Sequence, residues 1–133
     1  MLRDIRLISD ITVNDSNKDL FTVPDGEHYA VLWVHADVSA SADVGNRRIT
    51  LEVLSGATVI FRTWARQAQA AGTQYFYDFS SGSDAVAAAN GVEHVPLPTG
   101  FVVPTGCILR VRDYNAIAAG ADDMLLHAVV ERV

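Results

Sequence analysis

The sequence predicts an all-β protein, an antiparallel two-sheet sandwich that is jelly-roll-like and has about eight or nine strands. Apolar and polar residues alternate with a period of two in nearly every apolar segment, and no long stretch places apolar residues at helical spacing. Glycines and prolines mark turns between these segments, and the lone Cys107 excludes an internal disulfide. At 133 residues the chain is expected to form a single domain, 1–133, with one core.

The N-terminal part of the chain, 1–20, predicts one strand followed by a turn. Its apolar residues share one parity and are expected on the dry face of the strand: Ile5, Leu7, Ile11 and Val13. The residues of the other parity are polar except for Ile8. The polar run 14–19 then turns the chain, and Pro-Asp-Gly at 24–26 forms a second turn, in which Pro presets φ and Gly accepts a positive φ.

Two strands are apolar on both faces. The segment 28–40 places one set of residues toward the predicted core: Ala30, Leu32, Val34, Ala36 and Val38. The opposite face of its first half carries Tyr29, Val31 and Trp33, and the last strand carries Leu125, Val129 and Val133 opposite Met124, Leu126 and Val130. In a β-sandwich one face of each sheet is normally exposed to solvent, so a strand that is apolar on both faces requires another surface to bury its outer face. Another subunit is the simplest such surface. We therefore expect a homo-oligomer, a trimer, with Leu125, Val129 and Val133 at the interface.

The middle of the chain continues the alternation. Ile49, Leu51 and Val53 are expected to point inward, and the tyrosines of 73–80 share one face. The small-residue stretch 81–91 predicts a flexible loop. Pro-Thr-Gly occurs at 98–100 and again at 104–106, which predicts a corner made in two tight turns. The strand that follows has Leu109 and Val111 inward.

The charge balance excludes one class of partner and suggests another. The net charge is −6, and the ten basic residues are nine arginines and Lys18. Binding to a nucleic-acid backbone needs a basic stripe, which this balance opposes. Four arginines occupy outward parities: Arg62, Arg66, Arg110 and Arg112. Two interpretations stay open for them, a solvated face and an interface with the carboxylates of a partner protein, for which the planar guanidinium is suited.

The sequence predicts no catalytic, metal or cofactor site. The four histidines, His28, His35, His94 and His127, are isolated and lack the spacing that places two of them on one face. No phosphate-binding glycine loop and no nucleophile motif is present, although residues from distant strands can still converge. Asp122 and Asp123 are expected to cap a turn, with a shared cation as the alternative. No apolar run approaches the length of a membrane span, so we expect synthesis in the cytosol and no membrane partner.

The aromatic residues leave a second alternative. Five of them could form a platform for sugar rings: Trp33, Trp64, Tyr75, Tyr77 and Tyr114. Aromatics at strand spacing are more often part of the core, which is the interpretation we favour. The solvent exposure of the aromatic side chains distinguishes the two interpretations. A ligand-binding module should leave two or more aromatics exposed side by side, whereas a structural protein should hide them.

The order of motifs resembles that of small β-sandwich structural proteins of tailed bacteriophages. The residues that carry this likeness lie between about 21 and 133: "FTVPDGEHYAVLWVHADVSA", "RRITLEVLSG", "VPLPTGFVVPTGCILRVRD" and "DDMLLHAVVERV". The insertion "SSGSDAVAAAN" at 80–90 and the N-terminal strand depart from the pattern. Such layouts occur in capsid decoration or cement proteins, in neck components and in fibre modules.

The resemblance implies a non-enzymatic virion protein without a cofactor. It would be made in the host cytoplasm and would lie on the capsid exterior or at the neck, where it oligomerises and stabilises the head. Its partners would be the major capsid protein or neck proteins, and it would bind no nucleic acid. The alternative is a neck, fibre or baseplate module that binds host-surface glycans.

Overall fold

Every regular element in the described part of the chain is a β-strand. The computed structural model describes residues 3–81, 86–89 and 91–133, with 86–89 described by the backbone alone. Among these residues no helix is long and apolar enough to cross a membrane. The strands are β1 (Ile5–Asp10), β2 (Asn17–Thr22), β3 (Tyr29–Ser39), β4 (Ile49–Ser55), β5 (Thr58–Trp64), β6 (Gln74–Ser81), β7 (Val86–Ala89), β8 (Val92–Leu97), β9 (Val102–Val103), β10 (Ile108–Asp113) and β11 (Asp123–Arg132).

The strands form two sheets with jelly-roll connectivity. The large, seven-stranded sheet has the order β1-β11-β3-β6-β8-β7, with β9 also paired to β3, and the small, four-stranded sheet has the order β2-β10-β4-β5. The blocks β1-β11-β3-β6 and β2-β10-β4-β5 are the two halves of an eight-stranded jelly roll. The predicted fold class is therefore confirmed. Strands β7, β8 and β9 are additions to it, and β8 runs parallel to β6, unlike the other described pairs.

The core lies between the sheets and contains most of the positions predicted to point inward. Ile49, Leu51 and Val53 are buried in it from β4, Leu109 and Val111 from β10, and Met124, Leu126 and Val130 from β11. These strands alternate because successive side chains of a strand point to opposite faces. Each sheet consequently presents a second, outer face, and the candidate functional residues lie on these two outer faces.

The predicted orientation of the N-terminal strand is wrong. Ile5 and Leu7 are 45% and 66% exposed, and Ile11 and Val13 follow the strand and are exposed as well. Ile8, the exception in the sequence pattern, packs against the core instead. The reason is that β1 is an edge strand whose register pairs Leu7 with Val129. The pairing with β11 determines which side chains of β1 point toward the core, and it leaves the apolar ones on the outer face of the large sheet.

The predicted facing of β3 is right only in its second half. Val34, Ala36 and Val38 are buried in the core, but so are Tyr29 and Val31. The register with β11 changes from Trp33 opposite Val129 to Val31 opposite Val130, which leaves Leu32 as the extra residue of a β-bulge. A bulge adds one residue to one strand, so it reverses which parity faces the core. The apparent two-sided hydrophobicity of this segment comes partly from that reversal.

The two Pro-Thr-Gly turns form the predicted two-step corner. Gly100 and Gly106 have φ of 69° and 75°, values that favour glycine, and β9 lies between them. The stretch 81–91, predicted to be a flexible loop, includes strand β7, which pairs with β8, while residues 82–85 and 90 lie outside the described residues. Cys107 is a buried free cysteine.

Candidate functional site

Three of the four predicted interface arginines converge on one buried carboxylate, Glu52. The registers of β10, β4 and β5 place Arg110 and Arg62 directly opposite Glu52 on either side, on the outer face of the small sheet. Arg110 Nε and Arg112 Nε donate to Glu52 Oε1 at 2.9 and 2.7 Å, and Arg62 Nε donates to Oε2. The Glu52 side chain has no exposed surface, whereas the three arginines keep 19–27% of theirs.

The cluster carries more positive than negative charge. Burial by itself would raise the pKa of Glu52, but the hydrogen bonds from Arg112, Arg62 and Arg110 outweigh it and hold that pKa below its ordinary value. Glu52 is therefore ionised at neutral pH. One carboxylate facing three guanidiniums leaves a local excess of two positive charges, on a chain whose net charge is −6.

Arg66, the fourth predicted interface arginine, lies apart from the strand positions of this cluster. It follows the end of β5 and is exposed, and its backbone N–H donates to Glu93 Oε2 at 2.7 Å. Glu93 is buried on β8 and also accepts the backbone N–H of Gln67, so this carboxylate fixes the path of the chain after β5. The shared parity of Arg62 and Arg66 does not bring them together, because the strand ends between them.

Trp64 and Tyr114 form an exposed aromatic pair beside the arginines. Their ring centroids are 4.7 Å apart at an interplanar angle of 68°, an edge-to-face arrangement, and the two residues are 39% and 43% exposed. The Cζ of Arg62 lies 5.4 Å from the Trp64 centroid and 5.1 Å from that of Tyr114. Arg48 lies over Trp64 at 5.7 Å and Arg112 over Tyr114 at 5.2 Å. These distances are within the cation–π range, so the rings and guanidiniums hold one another in place.

An open cavity of about 430 Å³ lies next to this pair and is lined by Arg48, Trp64, Tyr114 and Asn115. The loop after β10 positions it. Asp113, which is buried, accepts the backbone N–H groups of Arg48, Asn115 and Ile117 at 2.8, 3.0 and 2.9 Å. We call the whole region the arginine–aromatic surface and define it by these residues: Arg48, Glu52, Arg62, Trp64, Arg110, Arg112, Tyr114 and Asn115.

The core interpretation holds for two of the five candidate aromatics. Tyr77 is fully buried, where its hydroxyl donates to Gln69 Oε1 at 3.0 Å, and Tyr75 packs against the core. Trp33 lies on the outer face of the large sheet and is 41% exposed. Trp64 and Tyr114 are exposed side by side, which is the arrangement expected of a ligand-binding module.

The outer face of the large sheet carries a strip of apolar side chains. Leu7, Val129 and Trp33 occupy matching positions on the neighbouring strands β1, β11 and β3. Leu7 is mostly exposed and Trp33 and Val129 partly so. Of the predicted interface residues, Leu125 and Val129 are half-buried on this face, and Val133 is exposed beyond the end of β11. We call Leu7, Trp33 and Val129, with Ile5 at the edge, the apolar strip; Leu125 lies on the same face but on the other side of His127, opposite Asp37.

A row of polar side chains crosses the same face. Ser9, His127, His35, Asp78 and His94 lie opposite one another on five neighbouring strands. Ser9 Oγ and His127 Nδ1 are 2.7 Å apart, His35 Nδ1 and Asp78 Oδ1 2.6 Å, and His94 Nδ1 and Asp78 Oδ2 3.9 Å. The expectation that the histidines are isolated is therefore wrong for three of them. Among the described residues, no group of three or more acidic, histidine or cysteine side chains is arranged to hold a metal ion.

Sequence reasoning missed this row because its members come from different strands. The strand pairing places His35 opposite both His127 and Asp78, and knowledge of that pairing would have revealed the row. The two aspartates accept backbone N–H groups of loop residues, Ser41 for Asp122 and Asn14 for Asp123, as capping residues do, but the sequence did not predict the ion pair of Asp122. Asp122 is buried and forms an ion pair with Arg47 at 2.9 Å, while Asp123 Oδ1 accepts the backbone N–H of Asn14.

No protein-family model, no curated protein and no solved structure matches this chain.

Proposed function

We propose that the protein is a non-enzymatic structural protein of a tailed-phage virion, a decoration or cement protein that oligomerises on the head and stabilises it. The observation that supports this best is the apolar strip. A large sheet whose outer face carries Leu7, Trp33 and Val129 side by side would expose these side chains to water in a lone subunit. Contiguous exposed apolar patches of this kind mark protein–protein interfaces.

Burial of the strip would supply a useful part of the association energy. Covering one large apolar side chain fully is worth about 1.5 to 3 kcal/mol, before the loss of translational and rotational freedom is subtracted. Leu7 is 66% exposed and Trp33 41%, so each has surface left to bury. A second copy of the chain, in a homotrimer, is the cover that we propose. The major capsid protein or a neck protein would then be bound by the assembled oligomer, whose repeated contacts add up.

The experiment has two parts. Light scattering at micromolar concentration gives the mass of the purified protein, for which we expect three times the 14.4 kDa of one chain. The protein is then mixed with phage particles that lack it, and co-sedimentation and the temperature of DNA release are measured. We expect binding and a higher release temperature. A monomer that does not bind particles would contradict the proposal, and binding without a change in release temperature would refute the cementing role.

A second candidate function, a fibre, neck or baseplate module that binds host-surface glycans, is favoured by one observation. Trp64 and Tyr114 are both exposed and lie 4.7 Å apart, beside a cavity lined with polar groups. Exposed aromatics with adjacent hydrogen-bonding side chains are suited to sugar rings, which present apolar faces and hydroxyl edges. This function uses the small sheet, whereas the proposed oligomer uses the large one, so one protein can perform both.

A further inference from the structure

The arginine–aromatic surface has hydrogen-bond donors that the protein itself does not use. A guanidinium has five N–H donors. Arg62 donates to Glu52 through Nε, and neither of its terminal nitrogens has a hydrogen-bond partner among the described residues. The side chain of Arg48 donates to no described residue, and its Nε is buried without a partner. Leaving such a donor buried and unsatisfied is costly, and a bound acceptor would remove this cost.

The acidic groups nearby are already neutralised or engaged. Glu52 is covered by its three arginines, and both oxygens of Asp113 accept backbone N–H groups. Asp19 lies opposite Arg110 on β2, at the far side of the cluster from Trp64. The surface that faces the cavity is therefore positive, and its free groups are planar donors of the kind that bind a carboxylate through two parallel hydrogen bonds.

The remaining groups of the cavity fit a sugar ring. Trp64 and Tyr114 offer exposed ring edges and parts of their faces, and the Asn115 side chain donates to Asn46 O at 2.9 Å, which leaves its carbonyl oxygen free to accept from a hydroxyl. A volume of about 430 Å³ is in the range of small-ligand sites and holds one or two sugar units. A long polyanion fits less well, because it would extend from the basic cluster over the rest of a chain with a net charge of −6.

We propose that this surface binds a carboxylated saccharide. The carboxylate is held by the guanidinium of Arg48, which lines the cavity, and is attracted by the positive charge of Arg62 beside the two rings. A ring of the saccharide packs against Trp64 and Tyr114, and the carbonyl oxygen of Asn115 accepts a hydrogen bond from a hydroxyl. This inference rests on the glycan-binding function proposed above and goes further, because it names the charge of the ligand and the residues that select it. It does not depend on the virion role.

The test uses two acidic probes, each with a matched neutral sugar. 3′-Sialyllactose and trigalacturonic acid are each compared with their own methyl esters, which keep every ring and lose the negative charge, while citrate serves as a carboxylate without a sugar ring. The tryptophan fluorescence of a Trp33→Phe protein, in which Trp64 is the only tryptophan, is followed during titration. We expect saturable binding of at least one acidic sugar, at least about tenfold tighter than that of its neutral partner or of citrate, and weaker in high salt.

Variants locate the site. Arg48→Gln should weaken binding of the acidic sugar by about tenfold or more, because a charge-assisted pair is lost. Tyr114→Ala, at an exposed position, should also weaken it and keeps the test valid if Arg48→Gln fails to fold. Arg132→Gln makes the same charge change on β11 of the large sheet and should leave the affinity within about twofold.

Each other outcome has a definite meaning. If neither acidic sugar binds, or if citrate binds as tightly, the inference is overturned. If a neutral sugar binds and its acidic partner does not, the glycan-binding function stands while the inference fails. Binding that is unchanged in both Arg48→Gln and Tyr114→Ala places the ligand elsewhere and also refutes it.

Discussion

Replacement of Glu52 by glutamine should lower stability and raise anion affinity at the same time. Glutamine keeps the size of the side chain and one carbonyl acceptor, but removes the charge that holds Arg62, Arg110 and Arg112. The three guanidiniums then repel one another, and their N–H groups are released toward the cavity side of the sheet. The two effects have opposite signs because the same carboxylate stabilises the fold and competes with a bound anion.

The size of the stability loss follows from burial. Removing one partner of a fully buried ion pair costs about 3 to 5 kcal/mol, whereas an exposed pair is worth about 0 to 1 kcal/mol. Glu52 is fully buried, but its arginines keep 19–27% of their surface in water and can turn outward. We therefore expect a loss of about 3 kcal/mol at neutral pH. In a domain of this length that lowers the melting temperature by roughly 10 °C.

Urea denaturation followed by circular dichroism measures this loss, with Glu131→Gln as the control. Glu131 is paired with Arg3, which is 64% exposed, and its replacement should cost less than about 1 kcal/mol. The pKa of Glu52 in the folded protein lies below its ordinary value of 4.5, so its contribution is complete above pH 4.5 and is lost as the pH falls through the folded pKa. The difference between the wild type and Glu52→Gln should therefore narrow below pH 4.5.

Two results would refute this reasoning. A stability loss of less than about 1 kcal/mol would mean that the ion pairs around Glu52 only offset its desolvation. A lower affinity of Glu52→Gln for the acidic sugar, with the fold intact, would mean that the carboxylate orders the arginines for binding and does not compete with the ligand.

Three further predictions concern other parts of the chain. Asp122→Ala should cost about 3 to 5 kcal/mol in urea denaturation because it leaves Arg47 buried without its ion-pair partner. The double variant Arg47→Met/Asp122→Leu should regain only part of that loss, because Ser41 N–H, Asp43 O and Gly45 O lose their partners. A single-variant cost below about 1 kcal/mol would contradict this. Leu7→Lys should reduce the mass measured by light scattering, because it places a charge in the apolar strip. Val44→Lys, at a 94% exposed loop position, should leave the mass unchanged. Equal masses for Leu7→Lys and the wild type would exclude the apolar strip as the interface. The pKa of Asp10 is lowered from 3.8 to about 2 by hydrogen bonds from Thr12 and then Lys18, so its stabilising contribution is present above pH 3.8 and is lost progressively as the pH falls from there through about 2. Lys18→Met should raise that pKa in an NMR titration, and an unchanged pKa would exclude Lys18 as a cause.

The sequence alone was enough to predict the fold class and much of the core. The alternation in 49–53 and in 108–112 predicts which residues face inward, because a strand sends successive side chains to opposite faces whatever its neighbours are. The two-step corner was predictable for a similar reason, since the positive φ of Gly100 and Gly106 is a local demand of the turns. The outward direction of Arg110 and Arg112 follows from the same alternation.

Only the tertiary structure decided what these outward residues meet. Arg110 lies 58 positions from Glu52 in the chain, and the two are neighbours only because β10 pairs with β4 in one particular register. The same holds for the row around His35, for the aromatic pair and for the apolar face of β1, which the sequence assigned to the core. A period of two distinguishes the faces of a strand. It does not say which strands lie beside it, in which register, or where a bulge such as that at Leu32 reverses the pattern, because those choices are settled by packing between distant segments.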